Sequence, residues 1–111
     1  KRQAYDLASL VDDVRFKTSI TFKNKIYKYY INKQHNLNKS KFKNDFDILS
    51  VMRNLKIIGI FTRLAIRDGK KSYSKLIPRA WELIRIRINN QIFLELKKLL
   101  NQNFKKELNA N

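Results

Sequence analysis

The chain has 111 residues, enough for one domain around one core and too few for a comfortable second. Its 25 Lys and Arg against nine Asp and Glu give a formal net charge of +16, with two glycines, one proline and no cysteine. This inventory excludes a disulfide framework and a thiolate metal site, leaves little turn material for a many-stranded sheet, and predicts an all-α fold. The longest apolar runs are too short to cross a bilayer and no signal-peptide core opens the chain, so a soluble, cytoplasmic protein without a membrane partner is expected.

A charge this high invites nucleic acid as a partner. Lys, Asn and Ile are all heavily used, however, and share A/T-rich codons, so genome composition can supply much of it. Lys23, Lys25, Lys28, Lys33, Lys39, Lys41 and Lys43 spread along a helix and the segment after it and do not gather on one recognition face. A solvated surface is the expectation, since charge alone gives weak, salt-sensitive binding.

From about Tyr5 to Val14 the spacing predicts a short helix with Leu7, Leu10, Val11 and Val14 inward and Asp6 in its first turn, placed as a cap. Such a helix, in a chain whose first residue is Lys1, suggests a piece of a longer protein with more chain to pack against. Asp12 and Asp13 are neighbours; on a helix they point roughly 100° apart, which makes them poor joint ligands. Thr18, Ser19 and Thr21 offer capping hydroxyls for a second helix running to about Gln34, with Phe22, Ile26, Tyr29 or Tyr30, and Lys33 on one stripe. His35 is the only histidine and falls in a polar segment, so neither a zinc site nor a catalytic triad is expected.

The stretch from about residue 40 to Asp68 dominates the chain. Phe42, Phe46, Leu49, Met52, Ile57, Ile60, Phe61 and Leu64 recur mostly at three- and four-residue steps, predicting one long helix capped by Asn38 or Ser40 and ended by Gly69. The run IIGIF, apolar all round, predicts cover on every side, and Gly59 within it predicts close approach of another backbone. Arg53 and Lys56 are three residues apart and share a side, where they could hold a ligand anion or a carboxylate of the chain. A short helical turn is expected before Pro78, which opens a helix burying Trp81, Ile84 and Ile88 with Ile77 on its flank and Arg79, Arg85 and Arg87 outward or marginal. A last helix from about Gln91 to Leu100 precedes a polar tail, 103–111, expected to fray. About five helices around the long one, in a single domain over 1–111, is the resulting expectation.

The ordered segments AYDLASLVDDVR and RNLKIIGIFTRLAIRDGKKSYSKLIPRAWELI resemble the C-terminal part of the aminoglycoside phosphotransferase family, in its branch of bacterial N-acetylmuramate/N-acetylglucosamine kinases. The matching motifs are Tyr5 to Leu10, Arg53 to Leu64, Arg67 to Gly69, and Leu76 to Trp81 with Ile77 inserted before the proline. The resemblance implies the helical C-terminal subdomain of a protein-kinase-like fold that transfers the γ-phosphoryl of ATP, with Mg²⁺, to a sugar hydroxyl. No H-x-D-x-x-x-x-N loop and no aspartate-bearing metal motif is present, so the resemblance places the catalytic residues, the nucleotide and the metal on a preceding portion of the same chain, and implies an inactive fragment. It assigns Asp6 to anchoring the catalytic-loop backbone. It makes Asp12, Asp13, Arg15, Arg53 and Lys56 candidates for sugar or carboxylate contacts.

Overall fold

The computed structural model describes residues 2–34, 36–69 and 75–109. His35 and the helical turn expected before Pro78 lie outside the described residues. Those described form helices and no strand. The helices are α1 (Arg2–Val11), α2 (Ile20–Lys33), α3 (Lys39–Asp68), α4 (Ile77–Arg87), α5 (Leu94–Asn103) and α6 (Lys105–Asn109), with a 3₁₀ turn at Gln91–Phe93.

Local chemistry explains most boundaries. Ser19 Oγ accepts the Phe22 N–H at 3.0 Å to start α2, and Asn38 Oδ1 accepts the Lys41 N–H at 3.1 Å to start α3. Gly69 ends α3 with φ of 65°, the left-handed conformation that favours glycine. Pro78 sits in the first turn of α4, where its missing N–H costs nothing. The long helix sets the shape: 30 residues at about 1.5 Å rise span about 45 Å, close to the molecule's 48 Å longest extent.

Three apolar clusters line α3. The first joins Ala4, Leu7, Ala8 and Val11 of α1 to Ile31, Phe42 and Phe46, with Tyr27 edge-on to Phe46 at 5.0 Å. The second gathers Val51, Trp81, Ile84, Ile88, Phe93, Leu100 and Leu108. The third packs Val14, Ala80 and Leu83 against Ile57, Ile58, Leu76 and Ile86. The tail expected to fray is instead helical over Lys105–Asn109, because Leu108 is buried in the second cluster and Arg85 Nη1 donates to the Glu107 carbonyl at 2.7 Å.

Several registers differ from the sequence reading. In α1 the small residues Ala4 and Ala8 complete the inward stripe with Leu7 and Val11, which turns Leu10 outward at 71% exposure. The helix begins at Arg2, so Asp6 lies beyond its first turn and does not cap it. In α2 the inward stripe runs through Lys23 and Ile31, leaving Phe22 and Tyr29 exposed. Ile57, Ile58, Ile60 and Phe61 are only half-buried and Ile66 is exposed, so the apolar run of α3 is not covered all round by the described residues.

Gly59 has no described atom within 4 Å of where a Cβ would stand, so no neighbouring backbone accounts for it. Gly59→Ala should therefore stabilise the helix by about 0.5–1 kcal/mol, the propensity difference in a helix interior. A raised urea midpoint checks this, and a lowered one would mean that something packs on that face.

Candidate functional site

The most constrained polar group is a knot between the first two apolar clusters. Just past the end of α1, the Asp12 carboxylate is wholly buried and receives Arg87 Nε at 2.8 Å and Nη2 at 3.0 Å, a two-pronged bond to the end of α4. Ser50 of α3 donates to Oδ2 at 2.5 Å, and Lys23 Nζ lies 3.5 Å from Oδ1 while donating to the Val11 carbonyl at 2.6 Å. The Arg87 guanidinium also sits over the Phe46 ring, 4.9 Å from its centroid. Four helices or their ends thus meet at one carboxylate. Lys23 and Arg87, read from sequence as solvated or marginal, are core residues at 3% and 8% exposure.

Burial pushes the Asp12 carboxyl up, but Arg87, Ser50 and Lys23 together outweigh it and hold it below the ordinary carboxylate value. Its stabilisation is therefore complete above about pH 3.8 and is lost as pH falls through the lowered native value. Lys23 runs the other way. Burial depresses its pKa against the pull of Asp12, so stability gains as pH rises from that lowered value toward 10.5. A urea midpoint that holds between pH 7 and about pH 5 and drops below about pH 4 is expected; a profile flat through about pH 3 would remove the Asp12 linkage.

The remaining candidates lie on the seam of α1 and α3, toward solvent. Arg53 donates from Nη1 to Ser9 Oγ at 2.9 Å and, at 3.4 Å, to the Tyr5 hydroxyl, while its Nε is shut from water without a described partner. Asp13 is bound locally: its carboxylate accepts Arg15 Nε at 3.1 Å, Nη2 at 2.8 Å and the Arg15 backbone N–H at 2.9 Å. Those bonds, aided by the charge of Arg53, lower the Asp13 pKa. Lys56 is exposed one turn beyond Arg53. Asp6 is exposed and makes no hydrogen bond or ion pair among the described residues. With Gln3 and Leu10 it forms an open stripe along α1.

The structure thus joins Tyr5, Ser9 and Arg53, with Asp13 and Arg15 nearby in charge, and draws Asp12 away into the core. Sequence reasoning passed over Ser9, Ser50 and the Tyr5 hydroxyl, and read Arg87 as outward or marginal. A signal existed for Arg87, a cation four residues beyond Leu83 and flanking the Ala80, Ile84, Ile88 stripe. None existed for the hydroxyls. Among the described residues no group of three or more His, Asp or Glu could hold a metal ion, and no helix is long and apolar enough to cross a membrane.

Comparison with known proteins adds a direction. Over 94 residues, 85% of this chain, the sequence is 31% identical to the N-acetylmuramate/N-acetylglucosamine kinase of Caulobacter vibrioides, and it spans 26% of that protein. Over 38 residues, 34% of the chain, it is 47% identical to the N-acetylmuramate/N-acetylglucosamine kinase of Pseudomonas putida, spanning 11% of it. No protein-family model and no solved structure matches. The chain is therefore a distant homologue of one part, about a quarter, of a kinase so named.

Proposed function

We propose that this chain is the substrate-side, C-terminal helical part of an ATP-dependent phosphotransferase of the aminoglycoside phosphotransferase type, acting on a sugar or amino-sugar hydroxyl. The likeness to two sugar kinases supports the reaction class. The ordered motifs from Tyr5 to Trp81 carry the placement. Asp6, exposed and without a side-chain partner among the described residues, is free on the open side of α1 to meet another part of a larger fold.

In this reading Asp6 accepts hydrogen bonds from the backbone of a catalytic loop contributed by the preceding portion of the protein. Arg53, steadied by Ser9 and Tyr5, and Lys56 offer cations to an acceptor sugar or its carboxylate, and Asp13 holds Arg15 along the same edge. ATP would supply the phosphoryl group and Mg²⁺ would neutralise its developing charge. In this reading the residues that hold ATP and Mg²⁺ belong to the preceding portion of the protein, and the chain by itself is inactive.

The test is to express the product of the complete gene and follow ADP release with ATP and either N-acetylglucosamine or N-acetylmuramate. Amino-sugar-dependent ADP formation is the expected result. No turnover with either sugar, together with saturable, salt-dependent binding of RNA or DNA, would replace this reading with a nucleic-acid module.

A further inference from the structure

A groove of about 600 Å³ is lined by α4 and α6 and by the segments ahead of α2 and α4. Five cations line it from four segments: Lys17 between α1 and α2, Lys75 ahead of α4, Arg79 and Arg85 on α4, and Lys106 on α6. Trp81 contributes an apolar floor and is itself braced by Phe104, ring centroids 5.3 Å apart. We propose that this groove is a binding site for a small organic anion carrying a phosphate or a carboxylate, separate from the Arg53 seam.

Two features raise it above the general basicity of the surface. None of Lys17, Lys75, Arg79 and Lys106 has an ion-pair partner among the described residues. Glu82 and Glu107 also line the groove, yet neither carboxylate comes within ion-pair distance of those cations. Five cations against two carboxylates leave the concavity with an excess of positive charge, which draws an anion in.

Arg85 is spent on the Glu107 carbonyl at 2.7 Å, which ties α6 to α4 and leaves Arg79, Lys75, Lys17 and Lys106 to face a ligand. The groove also opens at the start of α4, whose N-cap Leu76 supplies no side-chain acceptor, so the positive end of the helix dipole adds to the same field. Its volume falls within the range of about 300–1,000 Å³ usual for small-ligand sites, which favours a molecule of sugar size over a polymer. The apolar floor then takes the body of the ligand and the cations its charge.

The site does not depend on the phosphotransferase reading, and its test needs no turnover. Binding of glucose 6-phosphate, glucuronate and uncharged glucose to the complete protein would be measured calorimetrically at constant ionic strength. Saturable binding of one or both anions that persists in the presence of saturating glucose is expected, the preferred anion telling phosphate from carboxylate. Arg79→Gln with Lys106→Gln should weaken that binding about tenfold or more, the loss of charged hydrogen-bond partners. Lys25→Gln with Lys28→Gln, which removes the same charge from the exposed face of α2, should leave it within about twofold.

Equal weakening by both pairs would reduce the groove to diffuse surface charge and overturn the proposal. So would absence of anion binding, or full displacement of the anion by a non-hydrolysable ATP analogue, which would put it at a nucleotide site. Matching far-ultraviolet circular dichroism of both double variants keeps a folding defect from being read as lost binding.

Discussion

Arg87→Ala is expected to cost about 3–5 kcal/mol of folding stability, the range for removing one partner of a buried ion pair. The Asp12 carboxylate would stay at 0% exposure having lost its two closest charged donors, with Ser50 and the more distant Lys23 ammonium left to it. The cavity left by the guanidinium would also strip a face of Phe46 of its stacked cation. Against a usual domain stability of about 5–15 kcal/mol, this is enough to leave the chain largely unfolded at moderate urea. Lys23→Met supplies the contrast. Lys23 is itself disfavoured by burial, and its removal leaves Asp12 with both Arg87 bonds and Ser50 but takes the donor from the buried Val11 carbonyl, so a cost of about 1–2 kcal/mol, below that of Arg87→Ala, is expected. Urea midpoints measured on both variants give the comparison. If Lys23→Met proved as damaging as Arg87→Ala, the knot would be a three-charge unit in which neither cation dominates.

The sequence made α3 legible because three independent signals agreed there: an asparagine cap at Asn38, apolar residues at helical steps, and Gly69 as a left-handed stop. The same holds for Ser19 and Pro78. What could not be read was which charged residues face inward. Lys23 and Arg87 occupy positions that continue apolar stripes on α2 and α4, but a lone cation on such a stripe is ordinarily set at its margin, and only the third partner, Asp12 beyond the end of α1, makes burial tolerable. That partner is 75 residues from Arg87 in sequence, out of reach of local periodicity.

Alanine caused the opposite error in α1. Ala4 and Ala8 carry little hydrophobic weight, so the larger Leu10 drew the predicted face toward itself, although the close packing of α1 on α3 needs the small residues inward. Gly59 shows a further limit, since a helical glycine with open space beside it reports no neighbour at all among the described residues. At the candidate site, the three-residue spacing of Arg53 and Lys56 shows only that they share a side of α3. The hydroxyls of Ser9 and Tyr5 that orient Arg53 follow from the packing of α1 on α3, which the motif alone does not contain.

On the proposed phosphotransferase reading, Asp6→Ala in the complete protein is expected to lower kcat for amino-sugar phosphorylation about 10²-fold, the scale on which misplacing a catalytic group by about 1 Å acts. Asp6 is exposed and unpaired among the described residues, so its removal takes nothing from the packing of α1, and the helix should keep its place. What would be lost is an acceptor for backbone N–H groups of the catalytic loop. The aspartate on that loop would remain, but out of line with the acceptor hydroxyl. The KM for ATP should change little, because nucleotide contacts lie elsewhere in the proposed fold. Asp6→Asn keeps one carbonyl acceptor at the same reach and should retain most of the activity that alanine loses, within about tenfold of the unaltered protein. Steady-state kinetics with an unchanged circular dichroism spectrum and urea midpoint would distinguish positioning from folding. If alanine and asparagine both left kcat untouched in an active enzyme, Asp6 would hold no catalytic loop, and the open stripe of α1 would have to meet its partner through Leu10 alone.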